Sequence, residues 1–321
     1  MVTPGQRRIL VTGAGGVLGL RLCSRLLETG ASVRGLVLPS DPQRARLQQL
    51  GAEPWEGDLC VPASLRGICD DIDTVYHLAA IIISHDRSAF RRINREGTSH
   101  MVAAAGAAGV RHFIYVSSAS VTYPRRTPYA QSKLEAEQLV ASGAGFEHTI
   151  VRPTLVYDRH GGQELLMFLD YLRKFPVVPF IGAGTALKRP VWAEDIVDGL
   201  VRLAGNRVAF GKTYNFSGGE AIKMLDFARL LLRHHAADRP FVHLPVALCR
   251  AAARLLEVVM DDPPLTSSAI AGVINDADLD PAEAMRDLGY RPIGVHAGFE
   301  RCFPTAARIP EAARQPWTDP K

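Results

Sequence analysis

Residues 9–28 constrain this chain more than any other stretch. An apolar run at 9–12, the turn Thr12-Gly13-Ala14-Gly15-Gly16-Val17-Leu18-Gly19 and a helical pattern at 17–28 follow one another without a break. Glycine in such a turn permits the tight bend, lets the backbone approach a pyrophosphate and lets the helix pack close to the strand. The helix N-terminus then supplies N–H donors and a positive dipole end. The spacing is Gly-x-x-Gly-x-x-Gly, since position 18 is Leu. Glycine turns also occur in ordinary loops; the strand before and the helix after turn this one into a dinucleotide site, with Gly13, Gly16, Val17 and Leu18 as its cofactor-binding residues.

The alternation continues. Apolar, strand-like runs at 33–38, 74–77, 113–117 and 149–152 are separated by helical patterns at 42–50, 89–106 and 133–141. Repeated strand–helix units with continuous apolar strands predict an α/β fold: a Rossmann-type doubly wound parallel sheet, covered by helices on both faces. Beyond Tyr157 the rhythm gives way to a stretch with Pro176, Pro179, Gly182 and Gly184, then to mostly helical segments at 194–203, 224–234 and 280–289, with a strand at 212–216. Residues 1–156 are expected to form the dinucleotide-binding domain, its sheet completed by later strands. Residues 157–307 would form a smaller, mostly helical substrate lobe, and 308–321, with Pro310, Pro316 and Pro320, a loose tail.

Composition excludes several classes. Apolar residues make up 47% and charged residues 22%, which fits a folded globular chain and not a disordered one. The formal charge is only +4 and the basic residues are scattered, so a nucleic-acid partner is not expected. No apolar run approaches the ~20 residues of a membrane span, and residues 1–8 lack the apolar core of a signal peptide. The cysteines, Cys23, Cys60, Cys69, Cys249 and Cys302, are widely spaced and never form Cys-x-x-Cys. They read as reduced thiols of a cytoplasmic protein. The histidines, His234-His235 included, lack metal-ligand spacing, and no metal site is expected.

Tyr129-Ala130-Gln131-Ser132-Lys133 places a phenol and an ammonium four apart at the start of a helix, hence on one face. A nearby cation lowers a tyrosine pKa toward working pH, so that the phenol exchanges a proton with an alcohol or carbonyl. Upstream, the strand at 113–117 ends in Ser117-Ser118-Ala119-Ser120, offering a hydroxyl at the sheet edge where doubly wound folds bind ligands. Taken alone, Tyr-x-x-x-Lys is an ordinary surface pair; after a glycine loop and a serine-bearing strand end it is a catalytic set. The residue after the second strand normally reads the adenosine ribose, but Val37 and Leu38 do not serve there. Ser40, Asp41, Arg34 and Arg44 are the nearest polar groups. Without a phosphate clamp the reading leans to NAD, with NADP open.

The chain resembles the extended short-chain dehydrogenase/reductase superfamily, in its NAD-dependent epimerase/dehydratase group. Besides the glycine loop and Tyr129/Lys133, the resemblance rests on Gly57-Asp58-Leu59, Val75-Tyr76-His77-Leu78-Ala79-Ala80, Asn94-Arg95-Glu96-Gly97-Thr98, Val151-Arg152-Pro153, Glu194-Asp195-Ile196 and Tyr214-Asn215-Phe216-Ser217-Gly218-Gly219. It implies that Asp58 and Leu59 touch the adenine, that Leu78, Ala79 and Ala80 line the cofactor, and that Asn94 sits on the nicotinamide side. By the same resemblance Ser118 is the catalytic hydroxyl and Tyr129 the acid/base. Lys133 binds the nicotinamide ribose and tunes Tyr129, while Pro153 and Thr154 flank the nicotinamide. A homodimer is the usual arrangement of such enzymes.

The chain also departs from that pattern. Only ten residues separate Ser118 from Tyr129, which reduces one wall of the site. Where relatives acting on nucleotide sugars commonly have Asn and Arg to hold a diphosphate, this chain has Leu155 and Lys188, with Arg189 adjoining; Lys neutralises phosphate without the bidentate fork of Arg. Tyr157-Asp158 replaces a frequent Tyr-Gly. His85 follows an apolar run from the ligand edge and is a substrate-facing candidate, although a surface histidine is the commoner outcome. The stretch 246–260 reads as a helix packing on the second lobe, with a substrate lid or a membrane-surface contact as alternatives. Asp261-Asp262-Pro263-Pro264 reads as a helix terminator.

The resemblance thus implies an NAD(P)-dependent enzyme moving a hydride at a secondary alcohol or ketone, first of a nucleotide sugar, by 4-epimerisation or 4-keto reduction. The alternatives are a 3β-hydroxysteroid dehydrogenase-like or ketoreductase activity on an apolar substrate, and a non-catalytic dinucleotide-binding subunit.

Overall fold

The computed structural model describes residues 7–303 except 85, 160, 161, 236, 261 and 262. His85, Asp261-Asp262 and the expected tail at 308–321 therefore lie outside the described residues.

Strands β1 (Arg8–Thr12), β2 (Ser32–Val37), β3 (Glu53–Glu56), β4 (Thr74–His77), β5 (His112–Val116) and β6 (Glu147–Pro153) form one parallel sheet with the later strand Lys212–Phe216. Its order places β1 between β2 and β4, β3 at one edge, and Lys212–Phe216 beyond β6 at the other. The order reverses between β1 and β4, and the crevice at the C-terminal ends of these two strands is where a doubly wound sheet receives its ligand.

The pleat divides the strand side chains between two cores. Ile9 and Val11, Ile114 and Val116 face the layer containing helix α1 (Val17–Glu28) and the helix Ala193–Val201, through Leu22, Leu26, Ile196 and Leu200. Leu10, Phe113 and Tyr115 face the opposite layer, through Met101, Ala105 and Val140 of the helices Gly97–Ala107 and Pro128–Ala141. Burial on both faces is why these strands read as unbroken apolar runs.

A third core joins the helices Gln163–Lys174, Met224–His234 and Val295–Cys302 through Leu165, Leu169, Phe227, Leu231 and Phe299, under the short parallel pair Val178–Ile181 and Phe241–Leu244. Arg21 of α1 reaches this region: it pairs with Asp158 at 2.8 Å and with Glu194 at 2.8 Å. The aspartate that departs from Tyr-Gly thus has a partner on the first helix.

Gly13 fixes the turn after β1. Its φ is +67°, and a Cβ there would stand 2.9 Å from the Cα and N of Ala79. At Gly19 a Cβ would meet the Gly13 carbonyl oxygen at 2.1 Å, so α1 packs against the loop only without a side chain. Gly30 has φ +83° but nothing within 4 Å of its Cβ position. Gly30→Ala therefore measures backbone strain alone, about 1–3 kcal/mol, and Gly13→Ala adds a backbone collision. Urea unfolding should show Gly13→Ala as the more destabilising of the two; equal losses would disprove the close approach.

Candidate active site

The helix that carries the catalytic candidates is set by its first residues. Thr127 caps it, its hydroxyl accepting the Ala130 amide at 3.2 Å, and Pro128 occupies the first turn. Tyr129 and Lys133 follow one turn apart. Arg152, on β6, grips Glu137 of the same helix with two bonds of 2.9 and 2.6 Å, so the arginine of Val151-Arg152-Pro153 anchors the helix Pro128–Ala141 to the sheet. Bidentate pairs of this kind fix orientation as well as distance.

Ser118 and Tyr129 come together. The Ser118 hydroxyl accepts the Ser120 amide at 3.2 Å and shares a bond with the Ser120 hydroxyl at 3.0 Å, and it lies near enough to the Tyr129 phenol to favour its ionised form. Phe90 packs its edge on the phenol ring at 6.2 Å. Desolvation raises the Tyr129 pKa above its ordinary value, with the negative charge of Glu164 adding to it and the Ser118 bond opposing it. This reverses the sign expected from the Tyr-x-x-x-Lys spacing: burial dominates, and Lys133, turned to the Val116 carbonyl and the Tyr115 ring, is not among the groups that shift the phenol.

Lys133 is itself buried. Its Nζ donates to the Val116 carbonyl at 2.7 Å and lies 4.3 Å from the centre of the Tyr115 ring. Desolvation lowers its pKa to about 7, with Glu137 pulling the other way. The ammonium is thus placed at the end of β5, between the sheet and the helix Pro128–Ala141.

A hydrogen-bonded relay, not anticipated from the sequence, ties the cofactor loop to this site. The Ala79 amide donates to Thr12 Oγ1 at 3.2 Å, Thr12 Oγ1 meets His77 Nδ1 at 2.8 Å, His77 Nε2 meets Thr98 Oγ1 at 3.0 Å, and Thr98 donates to the Asn94 carbonyl at 2.5 Å. Thr98 gives its only proton to a carbonyl, so His77 Nε2 carries the hydrogen and Nδ1 accepts from Thr12. The imidazole is neutral: burial first, then the charge of Lys133, lowers its pKa to about 3. Thr12, His77 and Thr98 are polar residues at buried positions, and that was the available sequence signal.

Asn94 lies in a π-helical stretch, Phe90–Glu96, between the helical turns Arg87–Ala89 and Gly97–Ala107, with the Gly97 amide reaching back to Arg92. Its side chain accepts from the Ile81 amide at 2.8 Å and donates to the Ile81 carbonyl at 3.0 Å and Ser132 Oγ at 3.1 Å. It therefore shapes the loop after β4 and braces the helix Pro128–Ala141. π-turns recur at functional sites for this reason: the extra residue re-aims a side chain.

The remaining cofactor candidates are distributed around the same crevice. Gly16 caps α1 without a side chain, and no acidic residue occupies its first turn, which holds Val17 and Leu18. Leu78, Ala79 and Ala80, half-buried, continue from β4 over Gly13. Asp58 accepts the Cys60 amide at 2.8 Å, and the Leu59 side chain is in the core, leaving its backbone at the edge. Pro153 ends β6; the Thr154 amide donates to Phe216 and its hydroxyl to the Arg189 carbonyl. The cradle at Gly13, the open helix N-terminus and the buried lysine fit a nicotinamide dinucleotide.

The substrate candidates fare differently. The Lys188 ammonium is buried and donates to the carbonyls of Gly272 (2.8 Å) and Asn275, and desolvation lowers its pKa to about 8. Arg189 pairs with Asp278 at 2.6 Å. Leu155 packs against the third core. Glu164, at the start of Gln163–Lys174, was missed from sequence; its charge acts on both Tyr129 and Tyr123. Among the described residues no group of three His, Cys, Asp or Glu stands close enough to hold a metal.

Neutral His77 gives the fold a pH dependence. Its native pKa lies near 3 and its unfolded value near 6.5. The unfolded chain therefore gains a proton that the native state refuses as pH falls from 6.5 toward 3, and stability is lost across that window. The slope approaches about 1.4 kcal/mol per pH unit for one histidine. Buried His112, lowered to about 4 by burial, acts in the same sense. Urea unfolding between pH 7 and 5 should show the loss, and His77→Gln should flatten it by about one proton's worth. An unchanged slope in that variant would disprove the neutral relay.

A sequence model of the NAD dependent epimerase/dehydratase family matches residues 9–216. The chain is 29% identical over 308 residues to the 4-hydroxy-2-methyl-3-oxo-4-farnesyl-3,4-dihydroquinoline-1-oxide ketoreductase of Stigmatella aurantiaca, with 88% of this chain and 91% of that protein covered. It is 27% identical over 339 residues to a 3 beta-hydroxysteroid dehydrogenase/Delta 5-->4-isomerase of Mycobacterium tuberculosis, covering 92% and 90%. In fold it is similar to the dTDP-glucose 4,6-dehydratase DesIV of Streptomyces venezuelae, solved with NAD, at a TM-score of 0.73 and 22% identity over 95% of this chain and 98% of that one. The family match runs from β1 through the last strand of the sheet and takes in the glycine loop, the relay, Ser118, Tyr129 and Lys133. This chain belongs to the NAD dependent epimerase/dehydratase family and is an oxidoreductase of that family.

Proposed function

We propose that this enzyme reduces the ketone of an apolar substrate, taking its reducing equivalent from NADH. The observation that carries the reading is the state of the two cations expected to hold a diphosphate: Lys188 donates to carbonyls of its own lobe and Arg189 is paired with Asp278. A nucleotide sugar would have to break these contacts. The short Ser118–Tyr129 loop and apolar Leu155 favour the same substrate class. So do the two curated relatives similar along most of the chain, whose names specify a farnesylated quinoline oxide and a hydroxysteroid.

Bound in the crevice, the dinucleotide supplies the hydride. The protein's part is a proton and an orientation. A Tyr129 phenol raised by burial is protonated at neutral pH, which is the form that gives a proton to the oxygen of a ketone under reduction. Ser118, whose hydroxyl favours the ionised form of that phenol, would hold the substrate oxygen beside it. Lys133 would hold the ribose, and its positive charge would favour the phenolate left behind.

The preference for NAD is supported at the end of β2. Asp41 stands against the glycine loop, so that a Cβ on Gly15 would be 2.6 Å from its Oδ2. The neighbouring arginines are engaged: Arg34 donates to the Ile68 carbonyl at 2.8 Å and lies over the Trp55 ring, and Arg44 pairs with Glu56 at 2.5 Å. A carboxylate there suits a ribose hydroxyl and repels a 2′-phosphate.

Initial rates on hydroxysteroid ketones and long-chain 3-oxo compounds test the proposal. Turnover with NADH should be insensitive to millimolar UDP, and NADH should be used at least about tenfold more efficiently than NADPH. Strong inhibition by UDP would return the substrate to the nucleotide sugars. Tyr129→Phe should lower kcat by about 10²–10⁴-fold while NADH affinity, read by fluorescence titration, stays near that of the parent; full activity in that variant would refute the role.

A further inference from the structure

The helix Val246–Val259 leaves one face uncovered. Cys249 and Ala253 are buried against Ile181 and Ile270, and Val246 packs beside them. At 100° per residue the opposite side carries Ala247, Val258, Ala251, Leu255, Leu248 and Val259 in an apolar arc of about 120°, bordered along one edge by Arg250 and Arg254. Leu248 (62%), Leu255 (66%), Val258 (83%) and Val259 (65%) are the four most exposed large apolar side chains among the described residues. Four such residues on one helix are not scattered surface apolarity.

The electrostatics of the helix are one-sided as well. Arg250 and Arg254 form no ion pair among the described residues. The one acid of the helix, Glu257, is turned to the packed side, where it caps the next helix, accepting the Ser267 amide at 2.6 Å and its hydroxyl at 3.0 Å. The exposed face therefore presents only apolar groups and cations.

We infer that this face docks on an anionic lipid surface, with Leu248, Leu255, Val258 and Val259 entering the headgroup boundary and Arg250 and Arg254 meeting lipid phosphates. An apolar face with arginines at its border is the pattern of a helix lying in a membrane interface, since the long arginine stems stay over apolar surface while their heads reach the phosphates. A second copy of the chain suits it less. A stable dimer needs about 800 Å² and some 20–30 residues a side, and the helix exposes eight positions on a convex surface one helix wide.

The inference rests on the apolar-substrate reading and extends it. The helix packs on Ser267–Ile274, whose Gly272 carbonyl holds Lys188, the cation that an apolar substrate leaves undisturbed. The uncovered face thus lies on the helix pair that supports the proposed substrate side. No helix among the described residues is long and apolar enough to cross a membrane, so the contact is peripheral.

Sedimentation of the full chain with sucrose-loaded vesicles tests this. Vesicles containing phosphatidylglycerol should carry down the protein at least about tenfold more than pure phosphatidylcholine vesicles, and salt should weaken the binding. Leu255→Glu with Val258→Glu should abolish it while turnover of a water-soluble short-chain ketone stays at the parent level. Arg250→Gln with Arg254→Gln should bring binding to phosphatidylglycerol down to the phosphatidylcholine level. Protein remaining in the supernatant, a Glu variant that sediments like the parent, or a dimer in the ultracentrifuge that the Glu variant dissolves would each overturn the inference. The two readings fail separately: vesicle binding without ketone turnover overturns the substrate class alone, and turnover without vesicle binding overturns the docking face alone.

Discussion

The hydrogen-bonded relay from the Ala79 amide through Thr12, His77 and Thr98 to the Asn94 carbonyl is the contact on which the site depends. It begins where β1 hands over to the glycine loop and ends in the π-helical stretch. Asn94 continues it outward, to Ile81 on one side and to Ser132 of the helix Pro128–Ala141 on the other. A buried imidazole suits the middle of this chain because its two nitrogens, one donor and one acceptor, lie at opposite ends of a rigid ring. The relay is bounded by backbone groups whose donor and acceptor roles cannot change, so its direction is fixed before any ligand arrives.

Arg152 and Glu137 supply the second constraint. They hold the helix Pro128–Ala141 to β6, and Glu137 also sits one turn beyond Lys133, where its charge partly offsets the burial that drives the lysine toward neutrality. One carboxylate thereby positions the helix and sustains the cation within it. Leaving either partner alone at this depth would expose the other as an uncompensated charge.

Much of the fold was legible because the sheet is buried on both faces. The strand at 74–77, the helices at 17–28 and 224–234 and the strand at 212–216 appear with the boundaries their apolar runs imply. β3 was missed, since Glu53-Pro54-Trp55-Glu56 is half-exposed at a sheet edge and carries no apolar run. The helix expected at 89–106 is present but interrupted by π geometry, which periodicity does not register. In the lobe, Gln163–Lys174 and Val295–Cys302 begin after glycines that offer no side-chain cap, and Ser267–Ile274, though capped by Thr266, is only eight residues long. Ser118, Tyr129 and Lys133 were singled out as a set because their order along the chain is informative. The burial that raises Tyr129, and the internal partners that engage Lys188 and Arg189, depend on contacts between residues far apart in sequence.

The π-helical stretch has a consequence for how this chain tolerates changes in length. Seven residues, Phe90–Glu96, are wound so that both Phe90 and Asn94 face inward beside Tyr129 and Ile81. Removing one residue there would restore an unbroken α-helix with more regular hydrogen bonding and leave the flanking segments near their present phase, since the wide turn absorbs the extra residue, but it would re-aim the side chains within the stretch. The locally improved helix would carry Asn94 away from the loop it holds. The irregular winding thus takes up one extra residue between two helical segments, and indels in this segment would be filtered by the register of the site, with local helix stability pulling the other way.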